Sequence, residues 1–204
     1  MQRTILISLY LFMIFSGGLL MANELLVSKI IATSFGNSIQ SWAILLSVTL
    51  LSLAAGYYFG GALLKNRERI LKKSLFINGG LLLFQFLLTL NGEKFSGIFL
   101  EMGFTVGMTL FTALLIFPLA LFLGANSPLT IELIAGHSSQ NAGEVAGRVY
   151  GISTLGGVAA TFIIGLSILP LRGVTYTNNL LLGMISINLL ILLLAALNQK
   201  RLKN

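Results

Sequence analysis

The sequence predicts an all-α polytopic membrane bundle of about six transmembrane helices, and three observations carry that expectation. First, 56% of the 204 residues are hydrophobic and only 9% are charged, with a mean hydropathy of +0.93. A soluble domain places charge on about a quarter of its residues. Here 13 basic and 6 acidic residues cannot clothe a water-facing surface. Second, apolar stretches of about 20 residues recur along the chain, the length at which a helix crosses the hydrocarbon layer. Third, Lys and Arg gather at alternate ends of those stretches, as the excess of basic residues in cytoplasmic loops requires.

The same composition excludes several classes. A soluble enzyme is incompatible with so little charge. The net charge of +7 is spread over segment ends, with no basic face for nucleic acid. Cysteine is absent, which excludes disulfides, iron–sulfur clusters and thiolate metal sites. One histidine, His137, and no aspartate leave no basis for a metal centre, and no cofactor is expected. No nucleophile elbow or glycine-rich phosphate loop is present, so no catalytic residues are assigned.

The expected spans run over residues 4–31, 42–64, 74–90, 97–123, 149–171 and 178–197 of a single membrane domain, 1–204. Inside lipid every backbone N–H and C=O must be paired within its own segment, so these spans are helices. The polar stretch 126–148 reads as an inner link. Six passes place Arg3, Lys65, Arg67, Arg69, Lys72, Lys73, Arg148, Lys200, Arg201 and Lys203 on one side. Lys29, Lys94 and Arg172 fall on the other. Both termini are therefore expected in the cytoplasm, in a bacterial inner membrane, with the lipid bilayer as first partner. The apolar run before Ala22 is too long for a cleaved signal peptide, and no A-x-A site follows it.

Span one carries Gly17-Gly18, then Glu24 and Lys29. A charged group at membrane depth is a functional candidate by default; at the outer interface it is an anchor, where Lys29 can snorkel. Five residues turn a helix by about 500°, which leaves Glu24 and Lys29 roughly 140° apart. Lys29 is therefore expected to meet Glu101 on span four, and Glu24 a hydroxyl or amide. Span two ends in Gly56 and Gly60, and span four begins with Gly103 and Gly107. Span four then carries Pro118 and, at its end, Gly124-Ala125-Asn126-Ser127-Pro128. Glycine and proline at matching places in spans one and four read as two interrupted helices, the pattern that exposes backbone dipoles to a substrate in transporters, or as two kinks. Asn126 and Ser127 are accordingly candidate binding residues.

Span five opens with Glu144 and Arg148 in the favourable order for a helical ion pair. Small residues at four-residue spacing let membrane helices approach closely. Gly143, Gly147 and Gly151 form one such row, and Gly157, Thr161 and Gly165 another. Such rows pack inside one bundle or face a second copy or a separate partner subunit. On the first reading Gly151→Leu disrupts packing.

The stretch SGGLLMANELLVSKIIATSFGNSIQSWAILLSVTLLSLAAGYYFGGALL, residues 16–64, resembles the first two membrane helices of the membrane-bound, fused major facilitator/spermidine synthase-like family. FPLALFLGANSPL and GRVYGISTLGG, between residues 117 and 171, are similar to further patterns of that family. Together these matches cover about half the chain in order, with Ser153 where the pattern has asparagine. The resemblance implies an architecture like half of a major facilitator transporter. GYYFGGALLKNRER resembles the loop after that superfamily's second helix, with Asn66 at its acidic position. It also implies a small-molecule binding or transport role, polyamine-related in the family's terms, or the holding of a partner at the membrane. No aminopropyltransferase domain is seen in this sequence, so aminopropyl transfer is not expected of it. The alternative reading is a structural or accessory subunit of a larger membrane complex.

Overall fold

A computed structural model describes residues 2–64, 70–136 and 141–203, with side chains described except at 2, 70, 71, 86, 88–96 and 199–203. His137, Lys65, Asn66, Arg67 and Arg69 lie outside the described residues, as do the side chains of Lys94, Lys200, Arg201 and Lys203. The described chain is helical, in the order α1 (Gln2–Phe35), α2 (Ile39–Leu63), α3 (Ile70–Leu100), α4 (Phe104–Gly136), α5 (Ala142–Ala160) and α6 (Leu169–Lys203). A π-helical segment, Thr161–Ile168, joins α5 to α6.

Among the described residues, four stretches are long and apolar enough to cross a membrane: Arg3–Phe35, Ile39–Leu63, Phe104–Gly136 and Ala142–Asn198. The last has 57 residues, about twice what one crossing needs. It contains Gly173, whose φ of 77° and ψ of −176° lie outside the helix, and the chain reverses there. Ser153 and Gly165 face Gly17 and Leu25, so α5 runs with α1. Asn188 and Met184 face Ser16 and Gly18, so α6 runs against it. Expected spans five and six thus share this stretch, and span three lies in α3.

Six helices alternate in direction, and three apolar clusters stack along them. Ile5, Leu9, Leu133, Val149 and Leu192 mark the end that holds both termini. Leu19, Leu81, Leu119, Ile164 and Leu181 fill the middle. Ile31, Leu45, Met108 and Phe111 fill the far end. Half of the most apolar window of α1 and of α4 is buried, against 28% for α2, which makes α1 and α4 the inner pair. The outside stays apolar too, with Leu50, Leu51, Phe162, Leu166 and Leu194 exposed. Helices hydrophobic all round belong in lipid, and the chain is an integral membrane protein by this measure.

At the far end the three reversals, α1 to α2, α3 to α4 and within α6, each use a glycine in the left-handed region: Gly36, Gly103 and Gly173. That conformation suits a residue without a Cβ just past a helix end. At the terminal end, the Asn141 side chain accepts the Glu144 N–H at 2.8 Å to open α5. Lys73 Nζ donates to the Leu63 carbonyl and caps α2, a cation placed on the negative end of a helix. Arg3, Lys72, Lys73 and Arg148 share this end, and Lys29 and Arg172 the other.

Three expectations are corrected here. Gly17-Gly18 does not interrupt α1, which is continuous through Phe35. The Pro118-to-Pro128 region does not break α4 either, and the polar stretch from residue 126 is helix as far as Gly136. Each proline forfeits one backbone hydrogen bond, which the packed turns on either side tolerate. Span four does not start at Gly97: residues 97–100 end α3, and α4 begins only after Gly103.

Candidate functional site: a lateral crevice between α2 and α5

Two seams bring backbones together through glycine. Between α2 and α4, Gly56 and Gly60 lie on Gly124 and Ala125; a Cβ on Gly60 would stand 2.7 Å from Pro128 Cγ and 2.8 Å from Ala125 Cα. Between α1 and α5, a Cβ on Gly17 would stand 2.6 Å from the carbonyl carbon of Ser153, and one on Gly156 3.0 Å from Ile14 Cα. These distances are closer than a methyl group tolerates, and small residues at such crossings are what membrane helices use to approach. Gly17 therefore serves a helix crossing. Among the described residues Gly165 of the second row meets Leu25, but Gly147 and Gly151 meet nothing within 4 Å, and Gly143 only the Asn141 side chain. The in-bundle reading of that row is corrected: it lies on an exposed face of α5.

A second kind of seam is polar. Ser74 Oγ and Asn78 Nδ2 on α3 donate to Asn126 Oδ1 on α4 at 2.9 and 3.2 Å. Asn126 Nδ2 returns a bond to Asn78 Oδ1 at 3.3 Å. Asn126 is fully buried, and Ser74 and Asn78 nearly so. Further along α3, Gln85 Nε2 donates to Asn178 Oδ1 on α6, and Asn188 of α6 donates to Ser16 Oγ at 3.1 Å. Within lipid a buried amide needs such partners, so these bonds set the register of α3 against α4 and α6, and of α6 against α1. Sequence reading missed Ser74, Asn78, Gln85 and Asn188. Their signal was present: 74, 78 and 85 fall on one face of α3 at helical spacing.

With α2 held on α4 and α5 held on α1, the gap between α2 and α5 is left open. It forms a crevice of about 360 Å³ floored by α1 and α4. Tyr57 of α2 and Tyr150 of α5 meet across it edge to face, with ring centroids 6.3 Å apart at 80°. Ser16, Ser127, Ser153, Thr154 and Thr161 line it among Leu20, Leu53, Val158 and Phe162. Among the described residues no charged side chain lines it. The π-helical segment forms one wall, a local irregularity of the kind often found at functional sites.

The polar residues that the sequence singles out separate in the structure. Ser127 lines the crevice, whereas its neighbour Asn126 turns to the α3 amides. Glu24 is half-buried, accepts a bond from Thr49 Oγ1 at 3.3 Å, and lines neither this crevice nor a smaller cavity of about 190 Å³ at the far end. Lys29 lines that smaller cavity beside Trp42, Asn37 and Gly36. Its expected partner Glu101 sits in the exposed α3–α4 turn, and no ion pair joins them among the described residues. The turn at Gly103, which takes Glu101 off α4, is the reason. Glu144 and Arg148 do pair, at 2.7 Å on the exposed start of α5. Tyr57, Tyr150 and Ser153 carried no sequence signal as a site, because residues far apart in the chain meet only in the fold. Among the described residues no cluster of His, Asp and Glu could hold a metal ion.

No protein-family model, curated protein or solved structure matches this chain.

Proposed function

We propose that this integral membrane protein binds a small, largely apolar molecule in the crevice between α2 and α5. The observation that carries the reading is the crevice itself: about 360 Å³, walled by aromatic, aliphatic and hydroxyl side chains, within the range of small-molecule pockets. A polycation would find no carboxylate among the described residues of that wall, so the polyamine substrate suggested by the family resemblance is not adopted. The resemblance to the membrane half of a spermidine synthase-like protein is retained as the architectural proposal, with both termini in the cytoplasm of a bacterial cell. A second reading draws on the exposed Gly143, Gly147 and Gly151 face of α5, which would seat a second copy or a partner subunit of a membrane complex.

The test is native mass spectrometry of the protein released from mild detergent, beside a Thr154→Trp variant that fills the crevice. Thr154 is exposed to the crevice and its side chain bonds only its own helix, so the variant should fold. A small molecule held by the wild type and lost from the variant is the expected result. A stoichiometric protein partner, with no small molecule displaced by Thr154→Trp, would replace this reading with the accessory-subunit one.

A further inference from the structure

We propose that the smaller cavity at the far end is a site for the phosphate of an anionic lipid headgroup, held by Lys29. It is separate from the crevice, and its occupant does not depend on what the crevice holds. Its wall comes from α1, the start of α2, and Gly165 and Leu169 at the end of the π-helical segment, around about 190 Å³. Pockets that enclose whole small molecules measure about 300–1,000 Å³, so this one suits the head of a larger molecule. Its depth in the membrane follows from its neighbours. Gly36 of the α1–α2 reversal and Trp42, 42% exposed, both line it, and tryptophan is enriched at headgroup level. Lys29 is exposed beside them, where its stem can lie on apolar surface with the ammonium in the polar layer. Leu25 and Leu45 line the cavity about one turn nearer the middle of the bundle than Lys29 and Trp42. The polar side thus faces the headgroups and the apolar side the acyl chains, as a lipid is oriented.

Charge decides what that head is. Among the described residues Lys29 is the one charged side chain in the wall. Neither Glu24 nor Glu101 lines the cavity, and no ion pair joins either to Lys29 among the described residues. Glu24 lies about 7.5 Å deeper along α1 and accepts from Thr49, while Glu101 sits in the exposed α3–α4 turn. The other described cation of this end, Arg172, lies over the Tyr176 ring, 5.6 Å from its centroid. Trp42 Nε1 donates to Asn37 Oδ1 at 3.1 Å, which orients that amide and leaves its Nδ2 hydrogens uncommitted among the described residues. Ser28 and Ser41 donate to the Leu25 and Gly36 carbonyls at 2.8 and 3.0 Å. A serine oxygen serves a donor or an acceptor, so the hydroxyls do not select. The Lys29 ammonium does: at the membrane surface opposite charges attract more strongly than in bulk water. A phosphate finds its counter-charge there, whereas an ammonium head finds a like charge and no carboxylate.

The experiment is a lipid titration read by native mass spectrometry, with the purified chain stripped of lipid in mild detergent. Phosphatidylglycerol and phosphatidylcholine with the same acyl chains are added separately. The wild type is expected to hold its first phosphatidylglycerol about tenfold more tightly than its first phosphatidylcholine, the ratio for one charge-assisted hydrogen bond. Lys29→Gln, a change at an exposed position, should abolish the preference, and Lys29→Arg should keep it. Arg172→Gln, at the other cation of this end, and the crevice-filling Thr154→Trp should keep it too. Absence of the preference in the wild type, or its survival in Lys29→Gln, overturns the proposal. Its loss in Thr154→Trp does so as well, by placing the lipid in the crevice. Release of the bound phosphatidylglycerol by millimolar inorganic phosphate would mark a site for the free anion and overturn the lipid assignment.

Discussion

Gly60→Ala and Gly151→Ala are the same chemical change on two helices, and the structure assigns them opposite effects. Alanine in place of glycine removes backbone freedom from the unfolded chain and favours a helix by about 0.5–1 kcal/mol. That gain is common to both positions. At Gly151 no neighbouring group among the described residues lies within 4 Å of the added methyl, so the gain stands alone. At Gly60 the methyl would meet Pro128 Cγ at 2.7 Å and Ala125 Cα at 2.8 Å, as well as the Ala125 carbonyl oxygen. These are ring and backbone atoms, which cannot rotate away. Forcing a methyl into a filled seam costs about 1–3 kcal/mol. Because the helix gain cancels in the comparison, Gly151→Ala should be the more stable variant by about 1–3 kcal/mol. Unfolding both variants by sodium dodecyl sulfate in mixed micelles measures the difference directly. If Gly60→Ala matches Gly151→Ala, the α2–α4 seam is not the close backbone crossing described.

Asn126→Leu should destabilise the bundle by about 1–3 kcal/mol in the same assay, since it leaves the Ser74 hydroxyl and the Asn78 amide without their acceptor; adding Asn78→Leu should recover part of the loss. Glu24→Gln should leave both stability and the small molecule retained in native mass spectrometry unchanged, because a glutamine oxygen still accepts from Thr49 and the residue lies outside the crevice. Loss of the bound molecule in Glu24→Gln would return that carboxylate to the binding site.

The helices were legible because hydropathy alone marks a segment that must satisfy its own backbone in lipid. The reversals at Gly36 and Gly103 follow glycines visible in the sequence, although the expected span four overran the second of them. The Glu144–Arg148 pair was legible because its partners are neighbours on one helix. What stayed hidden was the rotation of each helix about its axis. In a soluble helix polar residues mark the outside, but α2 and α5 expose Leu51 and Leu155 as freely as they bury Leu45 and Val149. A row of glycines therefore does not say which way it faces. Gly56 and Gly60 turned inward and Gly147 and Gly151 outward, with equally good spacing. In such a chain the buried amides are the better guide to the interior, because an amide facing lipid would go unsatisfied.

The two kinds of seam divide the bundle into two groups of helices and explain why the crevice lies where it does. Glycine crossings weld α2 to α4 and α1 to α5, and amide bonds add α3 to the first group and α6 to the second through Asn126 and Asn188. The groups meet at the α1–α4 core and at two edges. On one edge the Gln85–Asn178 hydrogen bond ties α3 to α6. On the other, α2 and α5 meet through the Tyr57–Tyr150 rings, and the Thr49 hydroxyl that reaches from α2 to Glu24 of α1 at 3.3 Å lies closer, at 2.9 Å, to the Leu45 carbonyl of its own helix. An aromatic pair contributes about 0.5–1.5 kcal/mol and depends only loosely on direction, whereas a buried amide pair leaves unsatisfied groups when pulled apart. Separation of the two groups thus costs least at the tyrosine edge, with the amide edge as the hinge. That edge is also where the crevice meets the lipid, so the site's entrance and the weakest seam of the fold coincide.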